Sequence, residues 1–140
     1  MSPADPLQAP AQVLAANAAF YDAFSQGDQT RMSSLWASHS TVTCAHPGMQ
    51  ILLGREAVLK SWKTILRVAP EVPLRCFAPR VQLLGDTAVV TCYEGAGTGP
   101  AHLAATNVFV LEVGEWKMAH HHAGPLQQPL RLEPSGSVLN

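Results

Sequence analysis

The sequence predicts an α+β domain in which helices from the first half cover one face of a mainly antiparallel sheet built from the second half. Three observations lead there. Apolar residues recur at helical spacing as far as Arg67, and from residue 74 onward short β-branched and aromatic runs alternate with turn signals. The 140 residues carry no break in composition, which suits one core, expected over residues 8–130. Residues 1–7 and 131–140, which include Pro, Ser and Gly and lack apolar periodicity, are expected to be flexible tails.

The first helix starts at Pro10, suited to a first turn, and stops at Gly27, suited to a left-handed cap. Val13, Asn17, Phe20, Tyr21 and Phe24 recur along it at helical spacing. Asp28 can cap a second, short helix in which Met32, Leu35 and Trp36 make one stripe. Residues 41–46 alternate, which puts Val42, Cys44 and His46 on one side of a short strand before the turn at His46-Pro47-Gly48. Gly54 precedes a third helix over residues 55–67, with Glu56 near its positive end, Arg67 near its negative end, and Val58, Leu59, Trp62, Ile65 and Leu66 on one face. Pro70 and Pro73 stop it.

Two strands are expected over 74–84 and 87–94, joined at Gly85-Asp86, with Leu83 opposite Ala88 and Val81 opposite Val90. Pro79 marks a bulge or bend in the first. A glycine-rich loop over 95–100 leads to the final hairpin, 106–113 and 115–122, which turns at Gly114. Pairing Glu112 with Glu115 puts Leu111 opposite Trp116, Phe109 opposite Met118, Asn107 opposite His120 and Ala105 opposite His122, all on one face. That face is apolar near the turn and polar farther out, as the lining of a ligand pocket usually is. The same register turns Thr106, Val108, Val110, Lys117, Ala119 and His121 to the other side. That side is apolar enough on its first strand to need cover, and a second copy packed through the outer sheet face is the simplest partner.

Lys plus Arg (9) nearly balance Asp plus Glu (10) and form no basic stripe, so nucleic acid is not an expected partner. No apolar run approaches the about 18 residues that span a bilayer, and the start lacks a signal-peptide pattern, which makes the cytoplasm the default location. Cys44, Cys76 and Cys92 are an odd count without CxxC spacing and read as buried, reduced thiols.

The segments FYDAFSQGDQTRMSSLWA, VTCAHPGMQILLGREAVLKSW and TNVFVLEVGEWKMAHHHAGP, in this order over roughly residues 10–128, resemble the SnoaL-like branch of the nuclear transport factor 2-like superfamily. The terminal Trp116, His120 and His122 are also similar to the association domain of calcium/calmodulin-dependent protein kinase II, an assembly member of that superfamily. The resemblance implies a cone-shaped roll with a curved sheet, a cavity between sheet and helices, and dimerisation through the outer sheet face. It does not choose a reaction, because the superfamily spans isomerases, cyclases, dehydratases, transport adaptors and assembly modules.

Tyr21, Trp36, His46, Trp62, Asn107, His120 and His122 could converge on such a cavity. Each also has a plainer reading as core packing. Superfamily isomerases and cyclases typically move a proton with a buried carboxylate. Here most acidic residues fall on caps, turns or polar faces, which leaves Glu94 as the one sheet carboxylate that could look inward. The expected general base is therefore a neutral imidazole of His120 or His46, with Asn107 and Tyr21 holding a developing oxyanion and Trp36, Trp62 and His122 contacting the ligand. His46, His120 and His122 could also be arranged as three nitrogen ligands, but packing explains them more simply, and neither a metal nor a cofactor is expected. The resulting expectation is a pocket for a small apolar organic molecule, with isomerase, cyclase or hydratase chemistry. The alternative is a noncatalytic dimerisation, assembly or regulatory module.

Overall fold

The computed structural model describes residues 7–68 and 72–132. Three helices, α1 (Ala9–Gln26), α2 (Gln29–Leu35) and α3 (Arg55–Leu66), pack on a curved, unclosed sheet. Its strands are β1 (Thr43–Ala45), β2 (Leu52–Leu53), β3 (Leu74–Leu84), β4 (Thr87–Ala96), β5 (Ala101–Glu112) and β6 (Glu115–Leu130), in spatial order β2-β1-β6-β5-β4-β3. Neighbours are antiparallel except β1 and β6, which run parallel. The expected tails fall outside the described residues apart from 7, 131 and 132, as does Pro70. No helix among the described residues is long and apolar enough to cross a membrane.

Local chemistry explains the helix ends. Pro10 sits in the first turn of α1, and Gly27 closes it at φ 65, a left-handed cap that leaves the Asp28 N–H to donate to the Ala23 carbonyl at 3.0 Å. Asp28 then caps α2, its Oδ1 accepting from the Arg31 N–H at 2.9 Å. At the start of α3 the Arg55 guanidinium donates to the carbonyls of Ser33, Trp36 and Ala37 at 2.8–3.0 Å. One side chain thus satisfies the open carbonyl end of α2 and joins it to α3.

The β3–β4 pairing is as the sequence predicts, with Leu84 opposite Thr87 and Val81 opposite Val90. The ladder shifts between Phe77 and Arg80, where Ala78 takes φ 51 beside Pro79, a residue with no N–H to give the ladder. β5 and β6 are longer than predicted and continue past the histidines to pair Leu103 with Pro125. Short β2 was not predicted.

The final hairpin corrects the expected register. Glu112 pairs with Glu115, Leu111 with Trp116 and Phe109 with Met118, but the ladder then slips by one residue between Val108 and Phe109. Ala119 is the extra residue of this bulge. Beyond it Val108 faces His120, Asn107 faces His121, and Thr106 faces His122. Because strand side chains alternate, one extra residue exchanges the faces of all three histidines.

Phe20, Met32, Trp36, Val58, Trp62, Phe109 and Met118 are fully buried between the helices and the sheet. At roughly 1.5–3 kcal/mol for burial of a large apolar side chain, this layer supplies most of the drive for the helices to pack there.

Candidate functional site

The helix-facing side of the sheet carries a buried polar string within this apolar layer. Asn17 and Tyr21, one turn apart on α1, meet Cys76 of β3, Cys92 and Glu94 of β4 and Asn107 of β5, and Asn107 in turn meets His121 of β6. Asn107 is its hub. Its Nδ2 donates to Asn17 Oδ1 at 2.8 Å and to Tyr21 Oη at 3.2 Å. Its Oδ1 is therefore the acceptor for His121 Nδ1 at 2.6 Å, which makes Nδ1 the protonated nitrogen of that ring. The Tyr21 hydroxyl in turn donates to Glu94 Oε2 at 2.6 Å.

Burial sets the charges. Glu94 is 2 % exposed, and desolvation pushes its carboxyl above the ordinary range while the Tyr21 hydrogen bond partly opposes the rise. Tyr21 is driven well above its usual value by burial and by the neighbouring Glu94, so the phenol stays protonated. His121 is pushed down to about 3, first by burial and then by the other histidines, and is neutral at physiological pH. Such a weak base is a hydrogen-bond donor at Nδ1 and a poor acceptor of protons.

His46 lies at the end of β1, buried, with its ring edge-on to Trp62 at 4.8 Å. Ser61 donates its hydroxyl to the Val58 carbonyl at 2.6 Å, so at 2.9 Å it accepts from His46 Nε2. That arrangement locks the imidazole as a neutral donor, and burial lowers its affinity for a proton. Trp36 and Trp62 are both buried as well, and their indole Nε1 atoms have no partner among the described residues. A buried orphan donor costs about 1–3 kcal/mol.

The structure thus brings Tyr21, Asn107, His46, Trp36 and Trp62 inside, and it puts His120 and His122 outside. His120 Nδ1 meets Thr43 Oγ1 at 2.6 Å on the outer face, while His122 is exposed, with the two rings 6.2 Å apart. Burial and the charge of His122 hold His120 below its ordinary value. The trio His46, His120 and His122 does not converge, since the sheet runs between the first and the other two. Among the described residues no group of three or more His, Cys, Asp or Glu is placed to hold a metal.

His121, expected outside, was the residue missed; only the bulge reveals it. Asn17 and Glu94 were visible as an i, i+4 partner of Tyr21 and as the inward member of the Val90, Cys92, Glu94 alternation.

Around Trp62 the Phe20, Phe24 and His121 rings pack with centroids at 5.0–5.8 Å. A concavity of about 800 Å³ lies on the outer face, lined by Arg80, Thr91, Tyr93, Thr106, His122 and Gly124 among others. Another of about 340 Å³ lies between α2 and α3, beside Ser33, Lys60 and Trp62.

Residues 13–126 match the family model of the SnoaL-like domain. The chain belongs to the SnoaL-like family. Among solved structures, this SnoaL-like domain is similar to a proposed dehydratase of the NTF2-like family from Streptomyces avermitilis. The TM-score is 0.76 at 36 % identity, covering 88 % of this chain and 99 % of that one. It is also similar to a proposed calcium/calmodulin-dependent protein kinase type II association domain from Thiobacillus denitrificans. There the TM-score is 0.68 at 34 % identity, covering 81 % of this chain and 94 % of that one. The F-box protein SKIP8 of Arabidopsis thaliana is 27 % identical over 113 residues, 79 % of this chain. The SnoaL-like domain spans about half of that relative, 48 % of its length.

Proposed function

We propose that this SnoaL-like domain binds a small, largely apolar organic molecule bearing a carbonyl, and that Glu94 moves a proton at the carbon beside it. The observation that carries this reading is the Glu94 carboxyl, buried in an apolar layer and held at 2.6 Å by the Tyr21 hydroxyl. Burying a carboxyl without a countercharge is costly, and a carboxyl raised toward neutrality is the form suited to taking and returning a proton. Tyr21 occupies Oε2 and sets the direction of the carboxyl. The other oxygen, Oε1, is the one this reading gives to the substrate.

The Asn107 amide is fully committed to Asn17, Tyr21 and His121, so it positions Tyr21 rather than an oxyanion. Glu94 takes the proton from the carbon beside the carbonyl and returns it. This chemistry belongs to isomerases and to eliminations of water, and the Streptomyces avermitilis relative, itself a proposed dehydratase, favours the latter. The assignment replaces a histidine base with a carboxylate. We place the domain in the cytoplasm as a homodimer joined through the outer sheet face.

The test is catalysed exchange. A panel of cyclic and acyclic ketones and enones is incubated with the protein in deuterated water, and deuterium beside the carbonyl is read by mass spectrometry. Exchange that Glu94→Gln abolishes supports the reading. No exchange across the panel, together with no small molecule released from protein purified from its own host, would overturn it. That outcome would favour the noncatalytic assembly module, the reading to which the Thiobacillus denitrificans relative points.

A further inference from the structure

Cys76 and Cys92 are nucleophiles that the proton-transfer reading leaves unused. Cys76 pairs with Glu94 across β3 and β4, so Cys92, two residues before Glu94, is its diagonal neighbour on the helix-facing side. Each sulfur is met by one of two amides that are bonded to each other. Asn17 Nδ2 donates to Cys76 Sγ at 3.5 Å, Asn107 Nδ2 approaches Cys92 Sγ at 4.0 Å, and the Asn17–Asn107 bond is 2.8 Å. Tyr21 Oη touches Cys92 Sγ at 3.3 Å. The interaction between the two thiols is the leading cause that lowers Cys76 below its ordinary range, with Asn17 adding to it against the opposing effect of burial, and it raises Cys92.

The two differ in access. Cys76 is half-buried, whereas Cys92 is 4 % exposed, so solvent-borne reagents meet Cys76 first. Cys44 has neither property: it is fully buried, its sulfur lies 3.8 Å from the His46 ring, and burial pushes its thiol up to about 12. A reachable thiol with thiolate character beside a second thiol is the arrangement that oxidises to a disulfide rather than to higher oxides.

We infer that Cys76 and Cys92 are a peroxide-oxidisable thiol pair that closes to an intramolecular disulfide. The Cys76 thiolate attacks one oxygen of a hydroperoxide; the O–O bond breaks, Cys76 becomes the sulfenic acid, and the other oxygen leaves as an alcohol or water. Cys92 sulfur then attacks the Cys76 sulfur. The S–S bond forms, the S–O bond breaks, and the hydroxyl leaves as water with the Cys92 proton. Two thiols lose two electrons and the hydroperoxide gains them. The product would take the Cys92 thiol away from Tyr21, so the redox state of the pair reaches the polar string directly.

The test treats the folded protein with hydrogen peroxide, then unfolds it in iodoacetamide and maps it by mass spectrometry without reductant. The expected result is one cross-linked Cys76–Cys92 peptide, two hydrogens lighter and restored by dithiothreitol, with Cys44 as the one alkylated cysteine. Cys92→Ser should instead give a Cys76 sulfenic acid trapped by dimedone, and Cys44→Ser should leave the cross-link unchanged. Alkylation of all three cysteines after treatment, a link involving Cys44, a link between chains, or direct passage of wild-type Cys76 to the sulfinic acid would each overturn the proposal.

Discussion

His121 donates from Nδ1 to Oδ1 of Asn107 at 2.6 Å, and this bond places the middle histidine of the triplet, not its neighbours, in the core. Two polar groups that would each be costly to bury alone satisfy one another. Their pairing is possible because Ala119 bulges out of the ladder between Met118 and His120.

Removing each histidine in turn tests that orientation. His121→Ala should lose more than about 2 kcal/mol, since it both opens a cavity and strips Asn107 of its donor. His122→Ala, at an exposed position, should stay within about 0.5 kcal/mol. Urea unfolding at neutral pH measures both, and a larger loss for His122→Ala would contradict the bulged register.

Glu94 predicts an unusual pH dependence. Its folded carboxyl titrates above its ordinary value because of burial, so the folded state holds the proton more tightly than the unfolded chain does. The associated stability is full below the ordinary carboxylate value and is lost as pH rises through the raised one. Glu94→Gln should therefore gain on wild type as pH increases across that window, while losing the exchange activity. Urea midpoints over a pH series read this; parallel curves for the two proteins would show that Glu94 is not shifted upward.

Glu112 has the opposite sign. Burial alone would raise its carboxyl, but the N–H groups of Ser38 and His39, at 2.9 and 3.0 Å, contribute to holding it below the ordinary range. Its stabilisation is present above the ordinary value and is lost as pH falls through the lowered one. Glu112→Gln should cost about 1–3 kcal/mol at neutral pH, with the gap to wild type closing in acid. Acid and urea titrations followed by circular dichroism provide the check.

Gly95 should tolerate no side chain. A Cβ there would stand 2.6 Å from the Pro100 carbonyl oxygen and 3.1 Å from a Phe77 ring carbon, and the backbone contact cannot swing aside. Gly95→Ala is expected to cost roughly 1–3 kcal/mol through overpacking. Gly124→Ala, whose Cβ would meet nothing within 4 Å, serves as the control and should be nearly neutral in thermal unfolding.

Much of the fold was legible because its signals are local. The Asp28 cap, the Gly27 stop, the amphipathic face of α3 and the β3–β4 register each depend on a few neighbouring residues, and each stands where periodicity and turn chemistry put it. The site was only half legible. Tyr21, Asn107, His46, Trp36 and Trp62 were placed inside by period alone, whereas the histidine triplet was not. Alternation carries no information about where a ladder slips, and a slip of one residue exchanges the two faces.

The amino-acid order by itself determined the layer architecture, the helix ends and the side of the sheet that the apolar residues seek, since burial periodicity and caps act within a turn or two of chain. Only the tertiary structure decided which polar groups share the interior. Asn17, Cys76, Glu94, Asn107 and His121 come from four strands and a helix, and no local rule relates them. Each could be buried only where another element supplied its hydrogen-bond partner, a condition met when the sheet curves, Ala119 bulges and α1 settles on the closed register.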